Sequence, residues 1–145
     1  IPFKNTKEEN STFLIEKLLH DKIKVNITAL TTCSQIDLSL KRFEKEKTKF
    51  IVSIFCGRVA DAGKEPRREI EPITGLGSDV MEVLWASPRE VYNIYQAEAI
   101  GADIITVTPE LLTKYEKMKG KSFLELSSDI VKMFYDDAKE AGYKL

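Results

Sequence analysis

Hydrophobic positions along the chain follow two alternating rhythms. Residues 23–29 (IKVNITA), 50–55 (FIVSIF), 80–85 (VMEVLW) and 103–107 (DIITV) are short, apolar and rich in β-branched side chains, the pattern of buried strands. Between them the spacing lengthens to the helical period. Thr32 and Gln35 have the S/T-x-x-E/Q spacing of a capping box ahead of Ile36, Leu38, Leu40 and Phe43. Ser87 and Glu90 repeat that spacing, with Pro88 at the favoured first helical position. Thr108 and Pro109 give a third helix start. Ser122 opens a last helix, whose Phe123, Leu126, Ile130, Met133, Phe134 and Ala141 keep a 3.6 period until Gly142 stops it. Ahead of the first strand, residues 11–21 predict a helix with Phe13, Leu14, Leu18 and Leu19 on one face, and residues 1–3 read as the tail of an earlier strand.

Strands that alternate with helices, almost without hairpin signals, imply βαβ crossovers and a parallel sheet. Two windings satisfy this, a doubly wound sheet and a (β/α)₈ barrel, and a closed barrel usually needs about 200–250 residues. The 145 residues form one domain, 1–145, with too few strands to close a barrel unaided. One stretch departs from the pattern. Residues 62–79 carry Pro66, Pro72, Gly75 and Gly77, which limit it to a helical turn or two in a charged, loop-like excursion.

Composition narrows the function classes. With 22 Lys and Arg against 23 Asp and Glu the net charge is -1, which argues against nucleic acid or an anionic membrane as partner. Two cysteines and one histidine leave no set of ligands for a structural metal, so no metal and no cofactor are expected. No apolar run approaches the roughly 18 residues of a membrane span, and the chain reads as cytoplasmic.

In parallel α/β folds chemistry collects at the carboxyl ends of the strands. There the first strand offers Asn26 and Thr28, the second Ser53 and Phe55 with Arg58 just beyond, the third Ser87 and Arg89, and the fourth Thr106 and Thr108. Period-two spacing puts Asn26 and Thr28 on one face, and Ser53 and Phe55 likewise on one face. Polar groups in strands this apolar need hydrogen-bond partners, which backbone groups or a ligand can supply equally well. Arg58 in a loop and Arg89 in a first helical turn are either solvated cations or a pair suited to a phosphate dianion. Ser87 reads as a helix cap whatever else it does.

In this order and at these spacings, four segments carry a resemblance: N-x-T (Asn26, Thr28), S-x-F-x-G-R (Ser53, Phe55, Gly57, Arg58), A-S-x-R (Ala86, Ser87, Arg89) and the run GADIITVTPELL at residues 101–112. The chain resembles the transaldolase family, which includes transaldolases and fructose-6-phosphate aldolases, over essentially its whole length. The resemblance implies a (β/α)₈ TIM barrel, of which residues 1–145 would cover the end of strand 4 to the C-terminal helix. It implies a class I mechanism in which a lysine ending strand 4 forms a Schiff base with a ketose, and a dihydroxyacetone unit passes between sugar phosphates, as in the pentose phosphate pathway. That lysine stands in a K-(I/L/V)-(P/A) context, so Ile1-Pro2 puts it immediately before Ile1, outside this sequence. The resemblance assigns Asn26 to the substrate near the Schiff base, Thr28 to the proton-relaying water and Ser53 to a hydroxyl of the dihydroxyacetone unit. Arg58 and Arg89, with Ser87, would hold the phosphate. Phe55 stands where fructose-6-phosphate aldolases resembling this pattern carry Tyr, and those aldolases usually lack the Asn at position 26, so Asn26, Ser53 and Phe55 together favour the transferase. Open alternatives are an aldolase of the same family and a sugar-phosphate-binding relative without turnover. Expected partners are the sugar phosphate, the N-terminal remainder of the barrel and further copies in a homo-oligomer.

Overall fold

β-branched and aromatic side chains fit a pleated, buried surface, and the chain forms four strands where the sequence predicts them: β1 (Val25–Leu30), β2 (Phe50–Ile54), β3 (Met81–Trp85) and β4 (Ile104–Ile105). In the computed structural model, which describes residues 1–76 and 78–143, they make one parallel sheet in the order β1-β2-β3-β4. Residues 1–3 extend it. Pro2 bridges Thr28 in parallel, the Phe3 N–H donates to the Thr28 carbonyl at 3.0 Å and the Thr28 N–H donates to the Ile1 carbonyl at 2.9 Å. This is the strand tail expected from the sequence.

Register sorts the side chains into two faces, because paired residues of a parallel sheet project the same way. On one face Val25, Phe50 and Met81 lie in one row, Ile27, Val52 and Val83 in the next, and Ile54 beside Trp85 in a third; all are buried. Against them pack Ile15 and Leu19 of α1 (Thr12–His20), Leu40 and Phe43 of α2 (Asp37–Lys45), and Ile36 just before α2. A two-turn α3 (Cys56–Asp61) follows β2 and leads to α4 (Arg67–Thr74), whose Ile70 and Ile73 join the same core, as do Ala97 of α5 (Tyr92–Ala99) and Ile100 behind it. Within this unit, Ile1–Leu111, the core cluster draws on one face of the sheet only. A doubly wound sheet covers both faces and reverses its strand order at a switch point. A sequential order with its helices on one side is instead the winding of a (β/α)₈ barrel.

Several helices differ in detail from the expected pattern. In α1 the inward stripe is Ile15 and Leu19, with Phe13 and Leu14 exposed, because residues four apart stack on one side of a helix. Leu38 of α2 is likewise exposed, while Ile36, Leu40 and Phe43 turn inward. The Thr32–Gln35 capping box forms as expected but starts a 3-10 turn at Cys33–Gln35 ahead of α2, and Gln35 Oε1 accepts from the backbone N–H groups of Thr31 (2.7 Å) and Thr32 (3.0 Å). The excursion at 62–79 contains α4 with Pro72 inside its last turn, a two-turn helix as anticipated; Gly77 lies outside the described residues.

The second unit, Leu112–Leu145, holds most of α6 (Pro109–Met118) and all of α7 (Phe123–Glu140). Both helix starts are those read from the sequence. The Leu111 N–H donates to Thr108 Oγ1 at 3.2 Å, and Ser122 and Glu125 form a reciprocal capping box, with Glu125 N to Ser122 Oγ at 3.2 Å and Ser122 N to Glu125 Oε2 at 2.8 Å. No residue of α7 is buried, and Phe123, Ile130, Met133 and Phe134 of its apolar face are exposed. No helix among the described residues is long and apolar enough to cross a membrane.

Candidate active site

The face of the sheet opposite the core carries the polar residues. Asn26, Ile51 and Glu82 form one row, and Ser53 and Leu84 pair in the next. Ser53 is buried, and its Oγ donates to Asn26 Oδ1 at 2.6 Å, so two residues 27 positions apart become one polar unit. Thr28 is half-buried on the same face. The Ile1 nitrogen donates to the Asn26 carbonyl at 2.6 Å, which brings the start of the 1–3 segment to this residue. Lower on the face, Lys24 Nζ donates to Glu82 Oε2 at 2.6 Å, and this hydrogen bond, helped by the charges of Lys24 and Lys49, holds the Glu82 carboxyl below its ordinary range.

Beyond β2, Phe55 is half-buried and its carbonyl accepts from the backbone N–H groups of Arg58 (2.9 Å) and Val59 (3.1 Å), starting α3. Arg58 therefore lies in a helical turn and not in the loop expected from the sequence. Its side chain lines a cavity of about 200 Å³ with Thr31, Thr32, Val59, Ala62, Lys64 and Glu69. Cys56 is fully buried at the start of α3, and burial pushes its thiol up to about 12, too high for a nucleophile at neutral pH.

The segment after β3 departs furthest from expectation. Ser87 does not cap a helix: it takes a left-handed backbone, φ 61°, and α5 begins only at Tyr92. The turn ahead of α5 is held by Asn93, in the first turn of that helix, whose Oδ1 accepts from the N–H groups of Arg89 (2.7 Å) and Glu90 (3.1 Å). Arg89 thus sits ahead of the helix, in the turn and not in the first helical turn. Its Nη2 donates to Asp61 Oδ2 at 2.7 Å, across from β3 to α3. The two segments meet at Gly57, where an added Cβ would lie 1.5 Å from the Ser87 carbonyl oxygen. Thr106 completes the turn, with Oγ1 accepting from the Ser87 N–H at 3.3 Å.

The fold therefore brings Asn26 into contact with Ser53, and Ser87 and Arg89 up against α3. Arg58 lines its cavity from the same short helix whose last residue, Asp61, holds Arg89. Sequence reading missed Asp61, Asn93 and the Lys24–Glu82 pair. An Asn three and four residues after the N–H groups it accepts from was the one available signal for Asn93; nothing local announces the other contacts, whose partners are 28 and 58 residues apart.

Comparison with known proteins identifies the family. The profile of the transaldolase/fructose-6-phosphate aldolase family matches residues 7–145. A "Probable transaldolase" of Bdellovibrio bacteriovorus is 29% identical over 139 residues, covering 94% of this chain and 60% of that protein. A "Probable transaldolase" of Nitrosopumilus maritimus is 31% identical over 103 residues, covering 68% of this chain and 44% of that protein. A third, from Mesorhizobium japonicum, is 33% identical over 91 residues, or 61% and 39% of the two chains. The chain thus spans at most about three fifths of the length of these relatives. With a sequentially ordered parallel sheet, one helix-covered face and a family match reaching from residue 7 to the last residue, the chain belongs to the transaldolase/fructose-6-phosphate aldolase family.

Proposed function

We propose that the complete protein is a Schiff-base transaldolase that moves a dihydroxyacetone unit from a ketose phosphate to an aldose phosphate. The observation that carries this reading is the register of residues 1–3. With Pro2 opposite Thr28, a residue preceding Ile1 falls opposite Asn26, and alternation turns its side chain to the face of Asn26 and Ser53. A lysine at that position has its amine beside a ready-made polar pair and away from the dry core.

In the proposed reaction the lysine amine adds to the ketose carbonyl and loses water to give an iminium. The bond between C3 and C4 then breaks. The C4 hydroxyl gives up its proton, an aldose phosphate departs, and the bonding electrons pass into the iminium to leave an enamine. The enamine carbon attacks the aldehyde of the acceptor, and water releases the new ketose phosphate. Asn26 holds the substrate at the imine carbon, Thr28 places the water that relays protons, and Ser53 binds a hydroxyl of the three-carbon unit. Arg58, Arg89 and Ser87 are the proposed phosphate anchors. Remote binding energy of this kind positions the reacting carbons. Phe55 leaves the site without the phenol found at this position in the aldolases it resembles, which favours transfer over release of free dihydroxyacetone.

The test is reduction of the complete protein with borohydride in the presence of fructose 6-phosphate. A stable adduct on the lysine preceding Ile1 is expected, together with turnover that depends on erythrose 4-phosphate. No adduct would leave a binding protein, and turnover without the acceptor would make it an aldolase.

A further inference from the structure

We propose that Asn93 and Asp61 are positioning residues for Arg89, one holding its backbone and the other its guanidinium; the inference rests on the assignment of Arg89 to the substrate phosphate. Ser87 occupies a left-handed conformation that a non-glycine residue keeps only when its surroundings hold it. Asn93 is the only buried polar side chain of that turn, 6% exposed, and every hydrogen bond it makes bears on the turn or locks the Asn itself. Two backbone N–H donors, from Arg89 and Glu90, converge on its Oδ1, which fixes which end of the amide is oxygen, and its Nδ2 donates to Gln96 Oε1 at 2.9 Å on the next helical turn. The backbone of Arg89 is thereby tied to α5.

The side chain of Arg89 is set from the opposite side. It crosses to α3 over Gly57, with its Nε 3.2 Å from the place a Cβ would take, and ends on Asp61. Arginine and aspartate are both about half exposed, at 44% and 48%, where an ion pair adds little to stability. Its consequence is direction. Asp61 takes one terminal nitrogen of a guanidinium that has five N–H donors, leaving the others for a phosphate. Asp61 also stands one helical turn beyond Arg58, so the carboxylate that aims one proposed anchor is built on the helix that carries the other.

Steady-state kinetics of the complete protein with fructose 6-phosphate, and with inorganic phosphate as inhibitor, test the proposal. Asp61→Asn and Asn93→Ala should each raise KM and the phosphate inhibition constant together, by about 5- to 10-fold, with kcat within about twofold of wild type. Asn93→Asp keeps the accepting oxygen and should restore most of the loss. If Arg89→Ala raises both constants while Asp61→Asn and Asn93→Ala leave them unchanged, the inference fails and the phosphate assignment stands. If Arg89→Ala changes neither, the assignment falls and takes the inference with it. A drop in kcat with both constants unmoved also overturns it. Should Asn93→Ala not fold, the exposed Asp61→Asn decides.

Discussion

The two faces of the sheet were made by the same strands under opposite demands. On the helix side nearly every position is a fully buried hydrocarbon or aromatic side chain, from Ile27 to Trp85, and no residue there offers chemistry. On the other side Asn26, Thr28, Ser53 and Glu82 alternate with them, beside Ile51 and Leu84; Ser53 is hydrogen-bonded to Asn26, and Glu82 is paired with Lys24. One face stabilises by removing apolar area from water, about 25 cal/mol per Å². The other keeps polar groups paired, Ser53 with Asn26 and Glu82 with Lys24. The difference shows how a period-two sequence separates stability from proposed function without separating them along the chain.

That contrast can be broken from either side. Trp85→Ala, on the core face, should cost ~3–5 kcal/mol of stability by leaving a cavity, read as a shift in the denaturant midpoint of the complete protein. Gly57→Ala, at the seam between α3 and the Ser87 turn, should cost about 3 kcal/mol or more, because the methyl must displace a backbone carbonyl. It should also weaken phosphate inhibition, a double effect that no substitution confined to the core face produces. Ser53→Ala, on the polar face, should cost only about 1 kcal/mol for one lost hydrogen bond while depressing turnover far more than its effect on stability. Equal stability losses at Ser53 and Trp85 would erase the distinction between the faces.

The smallest expected change is in titration. Lys24 holds the Glu82 carboxyl below its ordinary value, so in the folded protein Glu82 stays ionised to lower pH than in the unfolded chain. Its contribution to stability is present above the unfolded value and is lost as pH falls through the folded one. Lys24→Ala should move the Glu82 titration upward toward the ordinary value, followed by carboxyl NMR shifts.

Most strand positions were legible in the sequence because burial on a parallel sheet demands runs such as FIVSI that few other environments accept. The starts of α6 and α7 were legible because Thr108 and Ser122 cap through contacts three residues away. The start of α5 was not. Ser87, Pro88 and Glu90 carry a helix-start signal, yet the chain spends these residues on a left-handed turn that fits Gly57 of another segment and is held from behind by Asn93. α3 was missed because six residues are too few to display a period.

The amino-acid order alone therefore determined the alternation of strands and helices, which side of β1 and β2 carries the polar residues, and the motifs that mark the family. Those properties depend on neighbours two to four residues away. Only the tertiary structure decided that all the core-forming helices of the first unit share one face of the sheet, that Ser53 meets Asn26, that Arg89 meets Asp61 and Asn93, and that Arg58 lines a cavity with Lys64. Most of these relations join segments tens of residues apart, and their geometry is set by strand register and by how closely two backbones approach, quantities that no local pattern encodes.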